Sequence, residues 1–470
     1  MEPIELAFAG VAVQAELVRA GEVTPAQLVE LYLERIRRID PQINAFRIVF
    51  EERARAEAEQ AAARMKAGDE RPLLGIPVAI KDNTDIAGEL TPNGTSAHGG
   101  PATEDAEVVK RVRAAGAIVI GKTHVPELCM FPYGESATWG RSRNPWSLAH
   151  GTGGSSAGSG AAVAAGLAPA ALGTDGAGSI RIPAAVNRLF GLKPQRGRVS
   201  LAPFREHWQG LSMAGWLTRG VVDTALMLDA TAGPAEGDAE SPPAPVQSFT
   251  QSARTPPGKL RIAWSTKVPQ GVVARVGSES RRAVSETVEL LRSLGHDVVE
   301  RDPDYGLPFL NVLARYLRGI HEDVAAVPHP ERLERRTRAM GRLGAAIPPA
   351  AVARARAAEP ALAARMNAIF DDHDVLVTPL TTGPPLPLGR FEGRGALYTL
   401  NAAAGWVPHL GPWNAVGNPA ASIPATFTAD GLPMAVQLVG RPNAEGTLLS
   451  LAAQMEAERP WAGDRPAIAN

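Results

Sequence analysis

The sequence predicts an α/β protein, and three observations lead to that fold class. Short apolar segments of strand length occur along the chain, for example residues 74–80 and 374–379. Segments with apolar residues at helical spacing lie between them, for example residues 278–294. The third observation is a glycine- and serine-rich stretch, residues 151–183, whose small side chains favour a helix packed closely in the core between two turns. At 470 residues the chain is long enough for one large core or two domains.

Charge and cysteine content exclude several classes of function. The chain has 48 Lys and Arg residues against 49 Asp and Glu residues, so its formal net charge is −1. This balance offers no general attraction for nucleic acid or an anionic membrane surface. The single cysteine, Cys129, excludes an intramolecular disulfide and is typical of a reducing compartment. The first ten residues include Glu2 and Glu5 and no basic residue, unlike a signal peptide. We therefore expect a cytoplasmic protein with neither a nucleic-acid nor a membrane partner.

The N-terminal part predicts two helices and a strand that ends in a lysine. Thr24 and Gln27 form a capping-box pattern at the start of a helix, and Pro25 suits its first turn. Residues 51–66 alternate Glu, Arg and Ala, which is typical of a solvated surface helix. The apolar strand at residues 74–80 then leads directly into Lys81. A lysine in that position usually extends to solvent, so an inward orientation requires a second feature to explain it.

Two motif matches are not taken as functional. Residues 116–123 match the phosphate-loop pattern GxxxxGK[ST], but their four intervening residues, Ala-Ile-Val-Ile, predict a strand and not an open loop. Residues 154–158 match the nucleophile-elbow pattern GxSxG, which requires a preceding strand and a histidine partner. Residues 144–148 make a poor strand, and no histidine stands in a recognisable context. Zinc motifs are also absent, so we expect no metal and no cofactor.

The central stretch contains two turns of small residues separated by a segment of Ala, Val and Leu. The first turn is GGSS at residues 153–156, and the second is GAGS at residues 176–179. No Asp, Glu, Lys or Arg occurs from residue 144 to residue 174, so we expect the intervening segment to form a tightly packed core helix. This arrangement would bring hydroxyl groups and free backbone N–H groups together at Ser155, Ser156 and Ser179.

The C-terminal half resumes regular structure after a proline-rich interruption. Residues 231–260 are rich in Pro, Gly, Ser and Ala and predict a surface excursion or linker. A strand at residues 260–264 and the helix at residues 278–294 follow. Residues 331–370 are rich in Arg and Ala with acidic residues interspersed, which is typical of a solvated face.

These motifs together resemble the amidase signature family. The resemblance rests on Lys81, on GGSS at residues 153–156 and on DGAGSIR at residues 175–181, and it covers about residues 75–229 and 374–442. It implies a single domain over residues 1–470, with a mixed central sheet and helices on both faces. Within that domain we expect N-terminal helices (1–70), a catalytic core (71–230), the proline-rich excursion (231–260) and a half that completes the sheet and the substrate pocket (261–470).

The resemblance also implies a catalytic triad. It assigns Ser179 as the nucleophile, Ser155 as the bridging serine after a cis peptide bond, and Lys81 as the terminal base. A serine hydroxyl needs an adjacent base, and a lysine can be that base only when burial keeps it uncharged. The second turn would donate N–H groups to the oxyanion from Gly176, Ala177, Gly178 and Ser179. Ala177 stands where the family more often has glycine, which narrows this turn.

Other residues are expected to support the triad or to surround the substrate. Ser156 would orient the proton relay, and Asp175 and Arg181 would pair to hold the second turn rigid. By resemblance, residues 129–131 lie near the acyl pocket. The residues expected to line the pocket are Cys129, Met130, Phe131, Phe204, Trp208, Tyr316 and Trp413.

The resemblance implies a serine hydrolase of carboxylic amides that works through an acyl-enzyme. The relatives most similar in appearance are bacterial amidases of small linear, cyclic or aryl amides, including nylon-oligomer hydrolases and carbamate-cleaving enzymes, so carbamates and esters stay open as substrates. One alternative is the ammonia-supplying subunit of a tRNA-dependent transamidation complex, in which glutamine tends to stand at the position of Ile182. Another is a scaffold without activity, against which all three catalytic positions argue. Because the family often dimerises, a homodimer is also an expectation.

Overall fold

The computed structural model describes all 470 residues and contains one large sheet and two small hairpins. The strands are Phe46–Val49 (β1), Pro77–Lys81 (β2), Ile118–Thr123 (β3), Glu135–Ser136 (β4), Gly140–Arg141 (β5), Arg143–Asn144 (β6), Ser147–Gly151 (β7), Ala170–Asp175 (β8), Phe190–Lys193 (β9), Met213–Thr218 (β10), Arg261–Trp264 (β11), Asp297–Glu300 (β12), Val375–Pro379 (β13), Ala420–Phe427 (β14) and Pro433–Gly440 (β15). The large sheet has eleven strands in the order β1-β3-β2-β8-β10-β9-β14-β15-β13-β11-β12, and β4–β5 and β6–β7 form the hairpins.

The sheet is mixed, as predicted. Strand β2 runs parallel to β3 and β8, and β11 runs parallel to β12 and β13, whereas the remaining pairs are antiparallel. The strands on the two sides of the proline-rich segment meet in the middle of this sheet, where β9 pairs with β14 through Ala420 opposite Lys193. Both halves of the chain therefore contribute to one continuous ladder of hydrogen bonds.

Eighteen α-helices and three 3₁₀ helices surround the sheet. The helices are Pro3–Phe8 (α1), Gly10–Arg19 (α2), Pro25–Ile43 (α3), Glu51–Lys66 (α4), Glu107–Ala114 (α5), Ala157–Ala164 (α6), Arg181–Val186 (α7), Val221–Thr231 (α8), Phe249–Arg254 (α9), Ser278–Ser293 (α10), Pro308–Ala326 (α11), Arg335–Ala345 (α12), Pro349–Ala357 (α13), Glu359–Asn367 (α14), Ile369–Asp372 (α15), Ala396–Trp406 (α16), Gly411–Ala415 (α17) and Glu445–Glu458 (α18). The 3₁₀ helices are Glu127–Cys129, Pro330–Arg332 and Ala467–Ala469. None of the helices combines the length and the apolar character that a bilayer crossing requires.

Helices cover both faces of the sheet, which confirms the α/β/α prediction. Side chains along a strand point alternately to opposite faces. In β2, Val78 and Ile80 belong to one apolar core of 52 buried residues, whereas Ala79 belongs to a second core of 30. Helices α2, α5, α8, α10 and α18 contribute to the first core, and α1, α3, α4 and α6 contribute to the second.

Local sequence patterns correctly predicted where helices α3 and α4 begin. Thr24 caps α3 as predicted, because its Oγ1 accepts a hydrogen bond from the Gln27 N–H (3.2 Å) while the Gln27 side chain accepts one from the Thr24 N–H (2.8 Å). The predicted helix at residues 51–66 is α4, and its charged face is solvated. Its opposite face is buried through Ala54, Ala58 and Ala61. Alanine therefore lets this helix pack closely on its neighbours.

The central stretch differs from the prediction in its second half. The expected core helix is α6, whose eight residues are all buried, and Gly158 on it leaves no room for a Cβ atom because the Ala45 carbonyl oxygen would lie 2.1 Å away. The helix ends before Gly166, which has a φ of +64°, and the chain continues as strand β8. The prediction of one helix between the two turns was therefore wrong, because small apolar residues suit a buried helix and a buried strand equally well.

We propose that residues 1–470 fold as one unit, and limited proteolysis tests this. Residues 243–247 are exposed and carry no regular structure, so subtilisin should cut the folded protein there first. Because β9 and β14 pair across this point, the two fragments should stay together in gel filtration and unfold in one transition. Uncut protein carried through the same column is the control. Two fragments that separate and each remain folded would contradict the proposal.

Candidate active site

Lys81, the last residue of β2, is fully buried and points into the interior. Its Nζ lies 2.8 Å from Ser155 Oγ, 2.7 Å from Thr174 Oγ1 and 3.3 Å from the Thr174 carbonyl oxygen. No carboxylate forms an ion pair with it, so burial lowers the pKa of Lys81 below its usual value, against a smaller opposing effect of Cys129 and Asp175. The surface-lysine interpretation is therefore wrong for this residue.

The oxygen atoms around Lys81 can form hydrogen bonds with its amine in both the charged and the neutral state. An ammonium has three N–H donors, which match the three oxygens at Ser155 and Thr174. A neutral amine that donates to both Thr174 oxygens has its lone pair left for the Ser155 hydroxyl. Asn83 Nδ2 also donates to Thr174 Oγ1 at 3.0 Å. Thr174 was not among the residues expected from the sequence. Its place beside Asp175 was the available signal, whereas its contact with Lys81 forms only when β8 pairs with β2.

The two small-residue turns lie against each other, as predicted. The peptide bond between Gly154 and Ser155 is cis, and Ser155 is almost completely buried. Ser156 ties the turns together, because its N–H donates to the Ser179 carbonyl oxygen at 3.2 Å and its Oγ lies 3.3 Å from both the N and the O of Thr174. Ser179 is partly exposed, and its hydroxyl makes no hydrogen bond within the protein.

A fully buried ion pair shapes the second turn. Arg181 Nη2 lies 2.9 Å from Asp175 Oδ1, and neither side chain has any exposed surface. Burial by itself would raise the pKa of Asp175, but the Arg181 charge and its hydrogen bonds hold that pKa well below the usual range. Asp175 also accepts the N–H groups of Gly178 (2.6 Å) and Ile180 (3.1 Å). The expected pairing of Asp175 with Arg181 is thus present, and it fixes the backbone on both sides of Ser179.

This use of Asp175 changes the expected set of oxyanion donors. The N–H of Gly178 is already occupied by Asp175 Oδ1, so including Gly178 among the donors was wrong. The N–H groups of Gly176, Ala177 and Ser179 have no acceptor within the protein and remain free. Gly178 instead has a conformational role, because its φ is +123° and a Cβ there would lie 2.5 Å from a methyl group of Leu410.

An apolar cavity with an empty volume of about 850 Å³ opens beside Ser179. Of its 22 lining residues 15 are hydrophobic and none is charged. Five of the expected pocket residues line it: Cys129, Met130, Phe131, Trp208 and Tyr316. Helices α11 and α16 and the segment after α16 supply residues that the sequence analysis missed, among them Phe309, Val312, Leu313, Leu400, Ala403 and Val407. Their helical spacing signalled a buried face, but spacing alone does not separate a cavity wall from a core.

Two expected pocket residues lie elsewhere. Trp413 is completely buried behind the cavity, with its ring centroid 6.2 Å from that of Tyr305 and 6.0 Å from that of Phe370. Phe204 is 54% exposed and lines a second cavity. Placing these two side chains in the substrate pocket was therefore wrong, because aromatic residues serve equally well in a core and at a surface.

The second cavity adjoins the first, and we call it the polar cavity because only 7 of its 17 lining residues are hydrophobic. It has an empty volume of about 730 Å³, and Cys129 lines both cavities. Its wall includes Thr174, the hydrogen-bond partner of Lys81, and the side chains of Asn83, His207, Ser212 and Asp323. The structure contains no cluster of three or more His, Cys, Asp or Glu side chains arranged to hold a metal ion.

The remaining polar candidates have structural contacts. Cys129 Sγ donates to Asn93 Oδ1 at 3.1 Å, and burial raises the pKa of its thiol. Lys122, the lysine of the phosphate-loop match, lies in strand β3 and pairs with Asp82 at 3.3 Å. The match was accidental, as expected, because its residues form a buried strand.

Comparison of the sequence with known families and proteins agrees with this geometry. Residues 27–449 match the family described as Amidase. The chain is 53% identical over 469 residues to AmiB2 of Mycobacterium tuberculosis, which carries the name of an amidase, with all of both chains covered. It is 34% identical over 491 residues to 6-aminohexanoate-cyclic-dimer hydrolase of Paenarthrobacter ureafaciens, which covers 97% of this chain and 96% of the relative.

Solved structures show the same relationship. The 6-aminohexanoate cyclic dimer hydrolase complexed with substrate superposes with a TM-score of 0.91 at 31% identity, covering 99% of this chain and all of the other. A bacterial aryl acylamidase of the amidase signature family superposes with a TM-score of 0.86 at 25% identity, covering 96% of each chain. The family match, the relatives and the shared fold agree along almost the whole sequence. The chain therefore belongs to the amidase family, and it is an amide hydrolase.

Proposed function

We propose that this amide hydrolase cleaves uncharged, mainly apolar carboxylic amides through an acyl-enzyme on Ser179, with Ser155 and Lys81 carrying the proton. One observation carries the proposal. The buried amine of Lys81 has no carboxylate partner and lies 2.8 Å from Ser155 Oγ. A lysine held in this way can accept a proton at a pH where an exposed lysine is fully charged.

The proposed reaction begins with attack of Ser179 Oγ on the substrate carbonyl carbon. The Ser179 proton moves to Ser155, while the Ser155 proton moves to Lys81, because a hydroxyl both donates and accepts. The carbonyl oxygen becomes an oxyanion that accepts hydrogen bonds from the free N–H groups of Gly176, Ala177 and Ser179. The C–N bond then breaks as the proton returns from Lys81 through Ser155 to the leaving nitrogen.

Water completes the cycle at the same groups. The water oxygen attacks the ester carbonyl on Ser179, and its proton passes through Ser155 to Lys81. The bond between Ser179 Oγ and the acyl carbon breaks, Ser179 regains a proton by the reverse path, and the carboxylic acid leaves. Asp175 does not enter these steps, since the Arg181 side chain and the backbone N–H groups of Gly178, Ile180 and Arg181 already occupy its oxygens.

The substrate class follows from the lining of the apolar cavity. A charged substrate group would lose its hydration there and find no side chain of opposite charge. A cyclic dimer of an amino acid has neither a free ammonium nor a free carboxylate, and an aryl amide is apolar beside its amide bond. Both substrate classes suit this lining, and both occur in the names of similar proteins, a cyclic-dimer hydrolase and an aryl acylamidase. The same acyl-enzyme chemistry accommodates carbamates and esters.

The transamidation alternative suits this cavity poorly. Glutamine carries an ammonium and a carboxylate on its α-carbon, and both would need partners at the site. None of the side chains that line the cavity beside Ser179 carries a charge. A glutamine bound there would leave two charges without partners, which costs several kcal/mol.

A matched pair of anilides tests the substrate class. We expect hexanoyl 4-nitroanilide to be hydrolysed with a kcat/KM about a hundredfold or more above that of the same anilide with a terminal carboxylate on its acyl chain. Release of 4-nitroaniline reports both reactions, and glutamine with detection of free ammonia is the third substrate. Equal or faster hydrolysis of the charged anilide, or efficient hydrolysis of glutamine, would contradict the proposal.

A further inference from the structure

The indole of Trp208 lies in the wall between the two cavities. Trp208 lines the apolar cavity, and the residue before it, His207, lines the polar one. Asp323 on α11 also borders the polar cavity. The Trp208 ring, together with Cys129, which lines both cavities, therefore borders the space beside Ser179 on the side of the polar cavity.

The Trp208 ring is wedged between two glycines. On one side is Gly176 of the second turn, where a Cβ atom would lie 2.6 Å from Trp208 Cε3. On the other is Gly319 of α11, where a Cβ atom would lie 2.6 Å from Trp208 Cδ1. The ring of Tyr316 meets that of Trp208 edge-on at 5.0 Å between centroids. Trp208 thus rests directly on the backbone that supplies a proposed oxyanion donor.

Asp323 holds the orientation of this ring. Its Oδ2 accepts a hydrogen bond from Trp208 Nε1 at 2.7 Å, and its Oδ1 lies 3.1 Å from His207 Nε2. His207 Nδ1 lies 2.9 Å from Ser212 Oγ, and the His207 ring stacks on Trp208 at 5.3 Å between centroids. Both oxygens of one carboxylate are therefore engaged in fixing two adjacent aromatic rings.

The backbone of the same loop is held by other contacts. Trp208 and Gln209 have φ values of +50° and +54°, and the Gln209 carbonyl oxygen accepts hydrogen bonds from Arg315 Nε and Arg356 Nη1, each at 2.9 Å. Removing the Asp323 carboxylate would therefore remove the hydrogen bond that orients the Trp208 side chain, while these anchors keep its backbone in place.

We propose that Asp323 is a positioning residue that holds Trp208 in place, and that Trp208 thereby limits the bulk of the substrate next to the scissile carbonyl. This inference rests on the proposed reaction at Ser179. When the indole N–H loses its acceptor, the ring can turn away from Gly176 toward the polar cavity. The space beside Ser179 then enlarges, and bulky acyl groups gain access relative to compact ones.

The test compares kcat/KM for the 4-nitroanilides of diphenylacetate and acetate. Asp323→Ala should raise the ratio of bulky to compact substrate about tenfold, mainly through KM for the bulky one. Asp323→Asn should keep the parent ratio, because its amide oxygen can accept the Trp208 N–H and its NH₂ can donate to a His207 tautomer protonated at Nδ1. Glu322→Ala is the matched control, because Glu322 is the preceding acid on α11 and its carboxylate accepts hydrogen bonds from the side chains of Gln209 and Arg318, not from Trp208.

A double-mutant cycle separates positioning from a general structural effect. Trp208→Phe keeps an aromatic ring without the N–H, so Asp323→Ala should add no further change in the substrate ratio once Trp208 is Phe. An unchanged ratio in Asp323→Ala, or an equal added effect in the Trp208→Phe background, would overturn the inference. If Asp323→Ala fails to fold, the substrate ratio is compared between Trp208→Phe and Asp323→Asn. The ratio should rise in Trp208→Phe, which lacks the N–H, and stay at the parent value in Asp323→Asn; an unchanged ratio in Trp208→Phe would overturn the inference.

A parallel variant keeps this inference distinct from the proposed function. Ser179→Ala is assayed with both anilides. Activity retained in Ser179→Ala would overturn the proposed function, whereas activity lost there together with an unchanged ratio in Asp323→Ala would overturn only the role of Asp323.

Discussion

Replacement of Ser179 by alanine should reduce kcat by about four to six orders of magnitude, because the acyl-enzyme can no longer form. The substitution removes one oxygen atom at a partly exposed position that makes no side-chain hydrogen bond, so the folded state should be retained. A fluorophosphonate probe should add one adduct to the parent protein, located on Ser179 by peptide mapping. The Ser179→Ala protein should remain unlabelled, and its melting temperature should stay near that of the parent.

Ser156→Ala is the control for this experiment, since it removes a neighbouring hydroxyl from the other turn. This variant should still be labelled at Ser179, although the loss of the contacts to Thr174 should slow the reaction. Labelling of the parent protein at Ser156 would favour the nucleophile-elbow interpretation of residues 154–158. It would also contradict the assignment of Ser179.

Replacement of Lys81 by alanine should lower kcat about 10²- to 10⁴-fold and change KM little, because a proton acceptor is lost and not a substrate contact. The dependence of kcat/KM on pH shows which charge state of Lys81 is active. Burial lowers the pKa of Lys81, and the neutral amine is the active form. In the parent protein kcat/KM should therefore rise with pH as Lys81 loses its proton, and level off at a pH below the usual pKa of an exposed lysine. This rising limb should be absent from Lys81→Ala.

Lys81→Arg is the sharper control, because guanidinium keeps the positive charge and stays protonated across this pH range. It should be as inactive as Lys81→Ala. The assay uses hexanoyl 4-nitroanilide from pH 5 to 11 with a parallel check of folding by circular dichroism at each pH. A kcat near the parent value in either variant would rule out Lys81 as the base, whatever the result at Ser179.

Much of the fold could be predicted because the relevant information is local. The capping box at Thr24 sets the start of α3 through contacts within four residues. The apolar runs that became β2, β11 and β13 stand out by composition alone, and the mixed sheet followed from the family resemblance. Where local composition suits two structures it cannot decide, as in the small-residue segment that divides into helix α6 and strand β8.

The candidate site shows the same division between local patterns, which the sequence displays, and long-range contacts, which it does not. Lys81, Ser155 and Ser179 lie in short motifs that the sequence displays directly. Thr174 was missed because its contact with Lys81 joins residues 93 positions apart across two strands. Whether a backbone N–H of the second turn is free to bind an oxyanion also depends on packing. Of the four expected donors, the buried carboxylate of Asp175 occupies that of Gly178 and leaves the other three free.

The family, the α/β class and the residues expected to carry the chemistry could all be predicted before the fold was known, since they depend on short motifs and on the periodicity of apolar residues. The three-dimensional structure was needed to show that Trp208 borders the apolar cavity beside Ser179 while Trp413 packs into the core behind it. It also decided that Asp323, 115 positions from Trp208, holds the indole. The shape and charge of a cavity arise from side chains that distant segments bring together. A pattern along one segment therefore does not reveal which residues of other segments will contact it.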